Sequence, residues 1–179
     1  LDDLDRAIDA FEAALAVRTL EADRAGHGAT QSNLGTAYRA RAERLQGRAA
    51  LDDYADAAAA YRAALSVWTA EFDGHWLGAK LALAVCLERL GDRAGSEREI
   101  AEAISTVRRL VLSTEDRASR AHWLGRLAGE GDALALARAR RGEIAGALDA
   151  VARTRQIAGS TELALAAIAT DPGLESLRR

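Results

Sequence analysis

Leu51, Tyr54, Ala58, Tyr61, Leu65 and Trp68 recur at steps of three and four residues, which is one face of an α-helix. Asp52, Asp53, Asp56 and Arg62 fall largely off that face. The same alternation of small or apolar positions with charged ones runs along most of the chain. Helix starts are expected at Asp2/Asp3, Asp52/Asp53, Asp92, Ser113/Thr114 with Glu115 and Asp116, and Ser160/Thr161, whose side chains accept from unpaired first-turn amides. Stops are expected at Gly26 to Gly28, Gly47, Gly74, Gly91, Gly129 to Gly131, Gly142 and Gly159. Pro172 after Asp171 suits the first turn of a last short helix. The pattern predicts about nine or ten helices and no strand, an all-α fold.

Residues 51–70, LDDYADAAAAYRAALSVWTA, match residues 1–20, LDDLDRAIDAFEAALAVRTL, at 10 of 20 positions, and Phe11 lies over Tyr61. HWLG occurs at His75 to Gly78 and again at His122 to Gly125, with His27 a similar distance upstream of His75. Self-similarity at about this period signals a stacked array of helix pairs.

Composition sharpens that picture. Alanine fills 43 of the 179 positions and proline one, so little interrupts a helix. With only 4% aromatic residues, the core must come from closely approaching small-residue helices in thin layers. The 24 basic and 27 acidic residues are interleaved, giving a formal charge of −3 and no basic excess to neutralise a phosphate backbone, so nucleic acid is not an expected partner. No apolar run approaches the roughly 18 residues of a membrane helix, so no membrane partner is expected either. A single cysteine, Cys86, allows no internal disulfide and agrees with a reducing, cytoplasmic site. The 23 arginines against one lysine suggest a GC-rich bacterial genome, and the absence of methionine suggests an excised piece of a longer chain.

Two segments carry a more specific pattern. Leu83 to Ile104 and Leu134 to Arg155 share a leucine and alanine, a glycine eight residues later, an acidic residue, and small residues down the next helix. They resemble the tetratricopeptide repeat. The resemblance places Ala84, Gly91, Asp92 and Ala103, then Ala135, Gly142, Glu143 and Ala147, at the small and turn positions of that family. An upstream copy begins at NLGTAY, with Leu34, Gly35 and Tyr38 in its first helix and Ala57, Tyr61 and Ala64 in its second, separated by about ten extra residues. The implied fold is a right-handed α-solenoid of antiparallel helix pairs over residues 1–158, in units 1–25, 29–72, 75–112 and 115–158. Residues 159–179 then form C-terminal helices or a connector. The LDDLDRAIDAFEAAL-like helices, the stretch from Glu115 to Arg155 and DPGLESLRR are further similar to repeats that precede a CHAT domain, a caspase-like cysteine peptidase, in bacterial proteins. This implies a non-catalytic recognition or regulatory segment for such a peptidase, with its catalytic Cys and His elsewhere. A self-contained adaptor is the alternative, and a helical enzyme using Cys86 a more remote one.

Within the chain, candidate chemistry is sparse. Cys86 sits between Val85 and Leu87 in an apolar helical run, where packing explains it better than nucleophilic attack. His27, His75 and His122 lie about one repeat apart, too far to share a metal, and the paired aspartates are explained by capping. No metal and no cofactor is expected. Trp68, Trp76 and Trp123 are the residues most able to anchor a protein or peptide partner, but Trp68 lies on the apolar stripe, and Trp76 and Trp123, each after a histidine at equivalent repeat positions, are better explained as sealing the joint between helix pairs. In the family, the first helix of each repeat lines a concave groove. Carried over through the matched leucines, the groove positions are Ser32, Thr36 and Arg39, then Leu81, Val85, Glu88 and Arg89, then Arg140. Relatives that clamp a peptide carboxylate use lysines and asparagines, for which this chain has only Lys80 and Asn33. Groove arginines can still take a carboxylate bidentately, which leaves an acidic peptide open as a ligand, although a solvated surface position explains each arginine better.

Overall fold

The computed structural model describes residues 1–69, 74–114 and 116–140, together with residue 152. All regular elements among them are helices: α1 (Asp2–Val17), α2 (Arg24–Ala42), α3 (Gly47–Leu65), α4 (Gly74–Arg89), α5 (Arg93–Ser113) and α6 (Arg117–Arg140). The expected starts and stops beyond residue 141, including those at Gly142, Gly159, Ser160/Thr161 and Pro172, lie outside the described residues. The chain divides into two compact units, Leu1–Ala103 and Ile104–Arg179, with the boundary inside α5.

In the first unit the helices pack in chain order, α1 on α2, α2 on α3 and α3 on α4, and α2 also touches α4. Cross-helix bonds fix the directions. Asp5, Glu12 and Arg18 meet Arg41, Tyr38 and Thr30 in turn, so α1 and α2 are antiparallel. Arg41 binds Asp53 while Gly28 lies against Val67 and Trp68, so α2 and α3 are antiparallel as well. Tyr54 meets Arg89 and Trp68 meets His75, which reverses α4 against α3.

Small residues let these helices approach. A Cβ added at Gly35 would lie 3.1 Å from the Tyr61 ring and 3.2 Å from the Ala57 carbonyl oxygen. The core around this contact holds Ala42, Tyr54, Ala57, Ala58, Tyr61, Ala79, Leu83, Cys86 and Leu87, and a second cluster joins Ile8, Leu34, Ala37 and Ala60. The apolar stripe read from α3 is buried at Tyr54, Ala58 and Tyr61, but Leu51 is exposed. Asp53, expected off the stripe, is buried because Arg41 neutralises it.

The helix boundaries correct several glycine and aspartate assignments. Gly91 does end α4: it has φ +86°, its amide donates to the Glu88 carbonyl, and the Asp92 amide donates to the Leu87 carbonyl. Gly26 and Gly28, expected as a stop, lie in the first turns of α2 instead, and Gly129 to Gly131 lie inside α6. Asp52 and Asp53 lie inside α3, which already starts at Gly47. The cap of α2 is Asp23, whose carboxylate accepts from the Gly26 amide at 2.9 Å. Asp92 caps α5 through Gly95 at 2.8 Å and Asp116 caps α6 through Ser119 at 2.7 Å. These three caps share one sequence, DRAG, DRAG and DRAS.

In the second unit Val107 and Val111 of α5 and Leu127 of α6 are buried. Among the described residues, no helix is long and apolar enough to cross a membrane.

Candidate functional site

The surface where α2 and α4 meet over α3 gathers several of the expected groove residues. Ser32, Thr36 and Arg39 share one side of α2. The Thr36 hydroxyl donates to the Ser32 carbonyl at 3.0 Å and lies 3.1 Å from the Tyr61 hydroxyl. Arg39 donates from Nη1 to Glu43 at 2.6 Å. Its guanidinium is held above its ordinary pKa: burial works against the charge, but Tyr61 and Glu43 more than offset it. From α4, the Arg89 guanidinium sits 5.1 Å from the centre of the Tyr54 ring, a cation–π contact.

Two tyrosines of α3 lie at this surface, Tyr54 beneath Arg89 and Tyr61 beside Thr36. Burial pushes both phenols above their ordinary pKa, so they are neutral hydrogen-bonding groups at physiological pH. Glu43 acts electrostatically on Arg39, Tyr54 and Cys86 alike, which places it among them. The set brings Arg39 and Arg89 together with the carboxylates of Glu43 and Glu88, with phenol and threonine hydroxyls between. An exposed guanidinium such as that of Arg89 can take a carboxylate bidentately.

The remaining expected positions divide by exposure. Asn33, Thr36 and Arg89 are exposed, while Ser32, Arg39 and Glu88 are half-buried. Trp76, Leu81 and Val85 are buried and supply packing area. Trp123 is half-buried and edge-on to His122 at 5.8 Å. Arg140 is the last residue of α6, and its side chain lies outside the described residues.

Cys86 lies under this surface, fully buried, with its thiol pushed up to about 12 by burial. A thiol held protonated in this way is a packing group at neutral pH. Lys80 is committed elsewhere: its ammonium donates to Glu99 at 2.6 Å and Glu102 at 2.8 Å on α5 and lies 5.8 Å from the centre of the Trp76 ring. Burial opposes its charge, but the two glutamates raise its pKa. His27 and His75 also have local roles, His27 through Nδ1 at 2.8 Å from the Arg18 carbonyl and His75 beside Trp68 at 5.6 Å.

One constellation is absent from the sequence reading. Arg41 binds Asp53 with two parallel bonds of 2.8 Å and reaches Asp5 at 2.6 Å, joining α1, α2 and α3. Beside it the Tyr38 hydroxyl donates to Glu12 at 2.6 Å, and burial followed by that bond drives the phenol pKa strongly up. Burial, with Asp53 and Asp52 adding repulsion, raises Asp56 above the usual carboxylate range. The usable signal was Asp53 itself, which repeats at Asp3.

Among the described residues no group of three His, Cys, Asp or Glu side chains could hold a metal ion. Comparisons with protein-family models, curated proteins and solved structures give no significant match.

Proposed function

We propose that the chain is a non-catalytic protein-interaction module, a right-handed α-solenoid of tetratricopeptide-type helix pairs, whose α2–α4 surface takes an acidic peptide segment. The observation that carries this reading is Arg89 of α4 over the Tyr54 ring, on the same side as Thr36 and Arg39 of α2, with α2 and α4 in contact across α3. Support for the repeat type comes from Gly35, which meets Tyr61 and Ala57 at the close approach that its LGxxY segment implies. The commitment of Lys80 to α5 makes the arginines the cations of this surface. The finer role, control of a caspase-like peptidase in the same polypeptide, rests on the resemblance alone. A peptidase assay on the longer protein, with and without partner, tests that role.

For the module itself, a displayed library of 12-residue peptides is the test. Acidic sequences are expected to be enriched by the wild-type chain and lost with Arg39→Glu/Arg89→Glu, a drop of at least tenfold or about 1.4 kcal/mol. Equal enrichment by wild type and variant overturns the reading.

A further inference from the structure

The Arg39 guanidinium is already engaged by a carboxylate of its own helix. Glu43, one turn further along, lies 2.6 Å from Nη1, and the two side chains are 31% and 51% exposed. Glu43 is also the C-terminal cap of α2. A negative charge there faces the negative end of the helix dipole, and arginine followed by glutamate is the weaker of the two orders at this spacing. The carboxylate is therefore held by Arg39 and not by the helix end. Its bond runs to Nη1, while Nε of the same guanidinium is buried without a partner. Arg41 shows the stronger alternative, since it binds Asp53 through Nε and Nη2 together. Burial works against the Arg39 charge and Tyr61 is the first of the groups that offset it, so the guanidinium keeps support when Glu43 leaves.

We infer that Glu43 is an autoinhibitory carboxylate, bound to Arg39 in the free chain and displaced by a carboxylate of the incoming segment. This deepens the acidic-peptide reading of the surface and rests on it. Glu43 is tethered to Arg39 by a single helical turn, so its effective concentration at the guanidinium exceeds that of a free monocarboxylate. A ligand overcomes this advantage by holding on elsewhere, and Arg89, exposed on α4, supplies the second point. The ligand class is accordingly a segment with at least two carboxylates, one for Arg89 and one that replaces Glu43. Because one carboxylate is exchanged for another, the half-buried Arg39 guanidinium keeps a counter-charge in both states.

The test is fluorescence anisotropy of a labelled oligoglutamate, and of its oligoglutamine isostere, on the full chain as wild type and as Glu43→Gln. The variant is expected to bind oligoglutamate at least about threefold more tightly, because the competing contact is gone, and to leave oligoglutamine unchanged. With Arg39→Gln already in place, Glu43→Gln should gain no more than about 1.5-fold, since only repulsion between exposed, salt-screened charges is then relieved. Equal binding of oligoglutamate by wild type and Glu43→Gln overturns the inference and leaves the acidic-peptide reading standing, as does a full gain that survives Arg39→Gln. A gain that oligoglutamine shares overturns it as well, because loosening of the surface would then be the cause. Absence of oligoglutamate binding by both wild type and Glu43→Gln overturns the inference and the acidic-peptide reading together.

Discussion

Arg41 shows how one side chain can hold three helices. Its guanidinium neutralises Asp53, which has little contact with water, and also reaches Asp5. Arg41→Met should destabilise the chain by about 3 kcal/mol, because it strands a buried carboxylate. Arg41→Met/Asp53→Leu should recover most of that loss, and urea denaturation of the three proteins checks both statements. Cys86 offers a residue-scale test of burial. Burial pushes its thiol up from the ordinary 9.0 to about 12, so the unfolded chain ionises first as pH rises. Its contribution to stability is fully present below about 9 and is lost between there and about 12. Stability measured across that range should fall less steeply in Cys86→Ala, and the native thiol should resist iodoacetamide until the chain is unfolded. The packing role of Cys86 was legible from its apolar neighbours. The burial of Asp53 was not, because its partner Arg41 lies 12 residues away and only the fold brings them together.

At the scale of elements, the glycines divide by what surrounds them. Gly35 sits where a Cβ would press on Tyr61 and the Ala57 backbone, so Gly35→Val should force α2 from α3 and cost about 1–3 kcal/mol. Gly125 in α6 has nothing within 4 Å of the same position, so Gly125→Ala should stabilise the helix by about 0.5–1 kcal/mol. Thermal melts of both variants separate a packing glycine from one that only weakens its helix. The helical class was legible because the apolar period of α3 survives into its packing at Tyr54, Ala58 and Tyr61. Boundaries were harder: Gly26 and Gly95 follow capping aspartates, and a Cβ at either would collide with the capping carboxylate. Glycine there marks a helix start. Read without its aspartate, Gly26 looks like a stop, which is why the stop expected at Gly26 to Gly28 proved to be the first turns of α2.

For the whole molecule, the first unit builds its proposed recognition surface from neighbouring helices rather than from one cavity. Thr36, Arg39 and Arg89 were candidates through the tetratricopeptide resemblance alone, carried over by the matched leucines. Tyr54 and Tyr61 were not, because they enter the surface only through the packing of α3 against both α2 and α4, while Glu43 joins it from the end of α2 as the partner of Arg39. Arg89 is thereby set on the neutral Tyr54 phenol, and the proposed partner is an anionic peptide. The most direct test is fluorescence anisotropy of a labelled acidic peptide taken from the library selection, against its Asn/Gln isostere, on wild type and on Arg39→Glu/Arg89→Glu. The account predicts saturable binding of the acidic peptide by the wild type, at least tenfold weaker for both the isostere and the variant, or about 1.4 kcal/mol. Equal affinity for the acidic peptide and its isostere, or binding unchanged by the double reversal, would contradict it.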